Sequence, residues 1–152
     1  MILRKANSAD QATIKHIVRS AQLAPFDLDW HRFVVAEEDS QIVGVAQVRQ
    51  HRDGSHELAS LAIIPEYQGQ GIGSALTSEL LKGEIGVVYL FCRPALRGYY
   101  VKFGFQQIPP AELPLTMRRI HRFARLLASL GSALSGHEIQ IMGMRRCNPD
   151  RL

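Results

Sequence analysis

Apolar and polar residues alternate along the chain with two different periods, and each period predicts one kind of secondary structure. Apolar runs, some of them alternating with polar residues, predict strands at residues 1–6, 33–37, 42–51, 56–64, 87–92, 103–108 and 137–146. Apolar residues at helical spacing predict helices at residues 8–22, 72–82, 94–103 and about 113–134. The run at 87–92 is continuously apolar, which is typical of a strand buried on both faces.

The order of these elements indicates the fold class. Turn signals at residues 38–41 and 52–55 join the early strands into hairpins, and helices alternate with the later strands. We therefore predict an α/β (α+β) protein in which helices cover the faces of a mixed sheet. The length of 152 residues predicts a single domain over residues 1–152.

Composition narrows the class of protein further. No apolar run approaches the roughly 20 residues of a membrane span, and the N-terminus lacks the apolar core of a signal peptide. Cys92 and Cys147 have no metal-binding spacing. We expect a cytoplasmic protein with reduced thiols, no metal and no membrane partner.

Positive charge is concentrated in the C-terminal quarter. From Leu115 onward the sequence has seven arginines and two acidic residues, which gives this part a charge of +5. The remainder of the chain carries −1, so the net charge is +4. Such asymmetry fits an acidic partner, a nucleic acid, a membrane surface or simply a solvated helix face. The apolar stripe of the same helix can close the core or form a homodimer, and the pattern leaves these alternatives open.

A glycine-rich segment, "EYQGQGIGSAL" at residues 66–76, lies between a predicted strand and a predicted helix. Unpaired N–H groups at a helix start favour an anion, and glycine allows the backbone to approach it closely. The segment lacks the lysine of a P-loop, and its third glycine spacing differs from a dinucleotide fingerprint.

Gln68, Gly71 and Gly73 match the pattern Q/R-x-x-G-x-G/A, and "YYVKFGF" follows at residues 99–105. On the strength of these two segments and the order of its elements, the sequence resembles the GNAT superfamily of N-acetyltransferases over the whole chain except about residues 109–135. The resemblance implies a mostly antiparallel, twisted sheet with splayed central strands, acetyl-CoA as cosubstrate, and a basic helical insertion at about residues 113–135.

The resemblance also implies a set of binding residues. Those expected to bond the pantetheine arm are Leu61, Ala62 and Ile63. Those expected to hold the diphosphate are Gln68, Gly69, Gln70, Gly71, Ile72, Gly73 and Ser74. Arg93 stands where the family often has asparagine, so it either pairs with a phosphate or is solvated.

Two side chains are candidates for the chemistry. Glu57 lies four residues before Leu61 on the same strand, hence on the same face, and is the candidate base. Tyr100 stands four residues before Gly104, where the family has its tyrosine acid. His51 and His56 are expected to be surface histidines, and Glu37 and Glu38 are further alternatives to Glu57.

The sequence thus predicts an acetyl-CoA-dependent N-acetyltransferase that acts on a primary amine in a ternary complex. The acceptor is an amine-bearing small molecule or a protein amine, and Asp27, Asp29 and Trp30 lie in the loop expected to contact it. The alternative is a silent acyl-CoA-binding module whose basic helix contacts RNA or an acidic protein. If the protein is the predicted enzyme, we do not expect it to bind a nucleic acid.

Overall fold

The computed structural model describes residues 1–135 and 140–148. Its strands are β1 (Ile2–Lys5), β2 (Phe33–Glu38), β3 (Gln41–Gln50), β4 (His56–Ile63), β5 (Val87–Cys92), β6 (Gln106–Ile108) and β7 (Met142–Cys147). Its α-helices are α1 (Gln11–Ser20), α2 (Ile72–Lys82), α3 (Arg97–Val101) and α4 (Leu115–Ser135). Among the described residues, no helix combines the length and the apolar character needed to cross a bilayer.

The strands form one seven-stranded sheet in the order β1-β2-β3-β4-β5-β7-β6. The pairs β1–β2, β2–β3, β5–β7 and β6–β7 are antiparallel, whereas β4 and β5 are parallel. The parallel pairs join His56 to Val88 and Glu57 to Tyr89. The predicted mixed, mostly antiparallel sheet with flanking helices is confirmed.

The chain folds into two compact units. The first unit, Met1–Arg49 with Leu58–Glu84, contains β1, β2, most of β3 and β4, and helices α1 and α2. Ile14, Ile17 and Val18 of α1 pack with Phe33 and Val35 of β2 in one buried cluster. A second cluster holds Ala36, Val43, Ala46, Ile72 and Leu76, so the two helices cover separate sets of strand residues.

The second unit, Gln50–Glu57 with Ile85–Leu152, contains the start of β4, the strands β5 to β7, and helices α3 and α4. Burial in β5 alternates: Val88, Leu90 and Cys92 are buried, whereas Val87 is exposed. On the other face, Tyr89 and Phe91 are half-buried and pack against a cluster formed by Ile108, Leu113 and Met117. The predicted burial on both faces is therefore complete on one face and partial on the other. The expected single domain over 1–152 stays a prediction.

The last strand begins later than the apolar pattern predicts. β7 starts at Met142, and residues 136–139, which include the predicted strand start, lie outside the described part. α4 matches the expected basic helix, but only Met117 and His121 of this helix are buried among the residues from Leu115 to Leu130.

Candidate active site

Glu57 is a buried carboxylate beside a buried histidine. The Glu57 side chain is 9% exposed and the His51 side chain 8%, and Nε2 of His51 lies 2.7 Å from Oε2 of Glu57. A buried carboxylate needs such a partner because losing water without one is costly. The expectation that His51 is a surface histidine is wrong, since the hairpin turn brings it back to Glu57.

The turn between His51 and Glu57 is held by its own hydrogen bonds. The His51 N–H donates to the Ser55 carbonyl at 2.8 Å, and the Gly54 N–H donates to the His51 carbonyl at 3.0 Å. Asp53 accepts the Ser55 hydroxyl at 2.6 Å and the Thr116 N–H at 2.9 Å. These donors, the Ser55 hydroxyl first, hold the pKa of Asp53 well below its usual range. The turn is thereby tied to the first residues of α4.

Tyr100 lies on the short helix α3 and is buried. Its ring packs edge-on against Phe105, with centroids 6.0 Å apart. Burial is the main reason that the pKa of Tyr100 is raised far above its usual value, and nearby Tyr99 and Cys92 add to the effect. The phenol therefore stays protonated at any physiological pH.

The glycine segment has the geometry of an anion site. Gly69 and Gly71 have φ angles of +76° and +83°, which L side chains rarely adopt. Gly71 is the N-cap of α2 and no side chain caps this helix, and the first turn of α2 contains no acidic residue. The N–H groups at the start of α2 thus lack the usual side-chain acceptor, as expected of a helix start that binds a phosphate.

The Gln68 side chain connects the glycine loop to β4. Its Nε2 donates to the Ile63 carbonyl at 3.0 Å, which joins the loop to the end of β4.

Gly73 is different from the other two glycines, because it lies within the first turn of α2 and its φ is not positive. The open space around a Cβ built at Gly69 or Gly71 shows that packing does not require glycine there.

The strand before the loop carries an unusual backbone conformation. Ser60 has a φ of +57° within β4, directly before Leu61, Ala62 and Ile63. The Nε2 of Gln47, a fully buried residue, donates to the Ser60 hydroxyl at 3.0 Å and to the Asp27 carbonyl at 3.2 Å. Such strained positions cluster at functional sites. Sequence reasoning missed both Gln47 and Ser60, because neither residue type signals a distorted strand.

The remaining predicted residues, Arg93, Asp27 and Asp29, are exposed. Arg93 caps the short turn before α3 through its backbone. In the loop before β2, Asp27 pairs with Arg32 at 2.6 Å and Asp29 pairs with His31 at 2.6 Å. The hydrogen bond from His31 holds the pKa of Asp29 below its usual value. Both carboxylates therefore already have cationic or polar neighbours.

Comparison with known proteins identifies the family to which the chain belongs. The family model described as "Acetyltransferase (GNAT) domain" matches residues 29–107, which is 79 of the 152 residues. The chain belongs to this family of acetyltransferases. It is 27% identical over 77 residues to the Arabidopsis thaliana protein named "GCN5-related N-acetyltransferase 2, chloroplastic", a match that covers 48% of this chain and 30% of the relative.

Two solved structures share the fold. N-acetylglutamate synthase from Neisseria gonorrhoeae, solved with coenzyme A and N-acetyl-glutamate, aligns with a TM-score of 0.74 and 20% identity over 96% of this chain and 34% of that one. A Mycobacterium tuberculosis protein solved with CoA aligns with a TM-score of 0.72 and 18% identity over 97% of this chain and 99% of that one. The chain spans about a third of the synthase and nearly all of the mycobacterial protein.

Proposed function

We propose that the chain transfers an acetyl group from acetyl-CoA to a primary amine by direct attack in a ternary complex. Membership of the GNAT family and the CoA-bound structures that share its fold support the donor. The single observation that carries the proposal is the α2 start, where left-handed glycines precede N–H groups that no side chain caps.

The binding roles follow the chain order. The backbone N–H groups of residues 69–74 hold the diphosphate, and the backbone of Leu61, Ala62 and Ile63 bonds the pantetheine arm. Gln68 shapes the loop instead, because its N–H already donates to the Pro65 carbonyl at 3.2 Å. The positive φ of Ser60 supports the pantetheine role, because it interrupts the regular extended backbone just before Leu61 and such strained positions cluster at functional sites. Arg93 is exposed, and this exposure fits both a contact with a phosphate and a solvated side chain.

Acetyl-CoA supplies the acetyl group as a thioester, and this chain supplies two groups that move or hold protons. Glu57 removes a proton from the attacking amine, directly or through water, while the C–N bond forms. Tyr100 donates a hydrogen bond from its hydroxyl to the sulfur as the C–S bond breaks, so that CoA leaves as a thiolate, which takes up a proton from water. Because a thiol is a stronger acid than this buried phenol, hydrogen-bond donation provides the larger part of the Tyr100 contribution.

The acceptor is proposed only as a class, an amine-bearing small molecule or a protein amine. Titration calorimetry with CoA, followed by thiol release from acetyl-CoA over a panel of amino acids, polyamines, aminoglycosides and peptides, tests the proposal. We expect CoA binding and transfer to at least one amine. Absence of CoA binding would overturn the proposal. CoA binding without transfer to any amine would favour the silent binding module.

A further inference from the structure

We propose that His51 is the positioning residue of Glu57, fixing the carboxylate in the orientation from which it accepts the proton of the acceptor amine. This inference rests on the proposed function, which assigns the base role to Glu57. Its basis is the buried contact of 2.7 Å between His51 Nε2 and Glu57 Oε2.

The proposed base role requires Glu57 to be ionised, and this requirement decides which ring atom of His51 carries a hydrogen. An ionised carboxylate has only acceptor oxygens, so the ring nitrogen that faces it must be the N–H donor. Nε2 of His51 is that donor whether the imidazole is neutral or charged. One carboxylate oxygen of Glu57 is thereby fixed by a charge-assisted hydrogen bond.

Hydrogen bonds of the surrounding turn hold the backbone of His51 in place. The bonds of His51 to Ser55 and Gly54 close the turn, and Asp53 ties that turn to the Thr116 N–H. Both side chains are less than 10% exposed, so neither exchanges its partner freely for water. A base supported in this way spends little time in orientations that cannot reach the amine.

A purely structural ion pair and a positioning contact predict different kinetics. A structural pair affects the free energy of unfolding but leaves kcat per folded molecule unchanged. A positioning contact affects kcat, with the Kd for acetyl-CoA unchanged, because the diphosphate and pantetheine residues do not include His51. The two roles are therefore distinguishable in one set of variants.

The test compares His51→Leu, which removes the donor, with His51→Gln, whose amide nitrogen takes the place of Nε2. We expect kcat to fall about 100-fold in His51→Leu, the effect of a misplaced catalytic group. In His51→Gln kcat stays within a factor of about 3, because a donor is retained. His16→Gln, at an exposed position of α1, is the matched control and leaves kcat unchanged.

Acetyl-CoA affinity and thermal unfolding verify that each variant is folded. If His51→Leu does not fold, His51→Asn replaces it, since the asparagine amide reaches the Nδ1 position and not the Nε2 position. Wild-type kcat in the donor-free variant would overturn the inference, as would equal losses in the Leu and Gln variants.

A double-mutant cycle gives an independent result. In a Glu57→Gln background, we expect His51→Leu to change kcat less than about twofold, because the group that it positions is already lost. Full additivity of the two losses would overturn the inference but not the proposed function. A wild type that binds acetyl-CoA and acetylates no amine would overturn both.

Discussion

At the scale of single residues, burial determines the chemistry available to the titratable groups. Tyr100 and Cys92 are buried in apolar surroundings, which raises both pKa values, that of Cys92 to about 11. Glu57 is equally buried but has a histidine partner. Burial thus keeps Tyr100, the candidate acid, protonated, whereas Glu57, the candidate base, has His51 as a hydrogen-bond partner.

Replacing Tyr100 by phenylalanine tests the hydrogen bond to the departing sulfur. We expect kcat to fall about 100-fold, the usual cost of losing one donor to a developing negative charge. The Kd for CoA should stay within a factor of about 2, because the diphosphate loop is unchanged. Stopped-flow transfer assays and calorimetry measure the two quantities, and wild-type turnover would remove Tyr100 from the mechanism.

The same residue predicts a dependence of stability on alkaline pH. The pKa of Tyr100 is higher in the folded than in the unfolded chain, so its contribution is complete below about pH 10 and is lost as pH rises further. The wild type should therefore lose more stability than Tyr100→Phe between about pH 9 and pH 11, by up to about 1.4 kcal/mol per pH unit. Urea unfolding at each pH measures it, and parallel curves would contradict it.

The two cysteines differ in predicted reactivity. Cys147 is exposed, whereas Cys92 is buried and its pKa is raised to about 11. Because the thiolate is the reacting form, iodoacetamide at about pH 8 should modify Cys147 and leave Cys92 unmodified until the protein is unfolded. Peptide mass spectrometry identifies the modified residue. Early labelling of Cys92 would show that its surroundings open readily.

At the scale of elements, the two halves of α4 differ. Met117 is fully buried with Leu113 and Ile108, whereas Phe123, Leu126 and Leu130 are each about 60% exposed. The arginines that accompany them are exposed as well, and Leu134 is among the side chains that the structure does not describe. Among the side chains described up to Leu130, the predicted apolar stripe is therefore a core contact only near the start of the helix.

Two alanine variants measure this difference. Met117→Ala should lower the free energy of unfolding by about 2–5 kcal/mol, because it leaves a cavity in a packed cluster. Leu130→Ala should change it by less than about 0.5 kcal/mol, as expected of an exposed helical position. Urea unfolding of both variants at equal protein concentration provides the measurement. A large loss in Leu130→Ala would show that a partner, such as a second copy, covers this half.

The loop before α2 offers a test that separates ligand binding from folding. Gly71 requires its left-handed φ, so a substitution there strains the backbone whatever its effect on CoA. Gly73 lies within the helix, where a glutamine is favoured over glycine by roughly 0.5–1 kcal/mol. Gly73→Gln should therefore stay folded, yet weaken CoA binding at least about tenfold, because the side chain displaces the diphosphate. Unchanged affinity would contradict the proposed loop contacts.

At the scale of the whole molecule, the expected single domain has a thermodynamic consequence. The fold contains two compact units, but a single domain unfolds in one transition. We expect one calorimetric peak, with calorimetric and van't Hoff enthalpies in agreement. CoA at about 100 times its Kd should stabilise that transition by about 2.7 kcal/mol. Two resolved peaks, only one of them shifted by CoA, would contradict the single domain.

Local patterns were informative where one element carries its own signal. The bounds of α2 and β5 match the periodicity, and the turns at residues 38–41 and 52–55 join the predicted hairpins. The glycine loop was found for the same reason, since a helix start and its glycines are neighbours in the chain. β5 shows the limit of such patterns, because an apolar run does not reveal that one face of the strand is buried and the other only half-buried.

The sequence by itself determined the element types, the mixed sheet, the glycine-rich start of α2 and the family, because segments with their own local signals follow one another in a recognisable order along the chain. Only the tertiary structure decided that His51 faces Glu57, that Ser60 has a positive φ within its strand and that Phe123, Leu126 and Leu130 of α4 are exposed. These features depend on contacts between residues from different strands and helices. Their physical reason is burial, which is set by neighbours that no local pattern specifies.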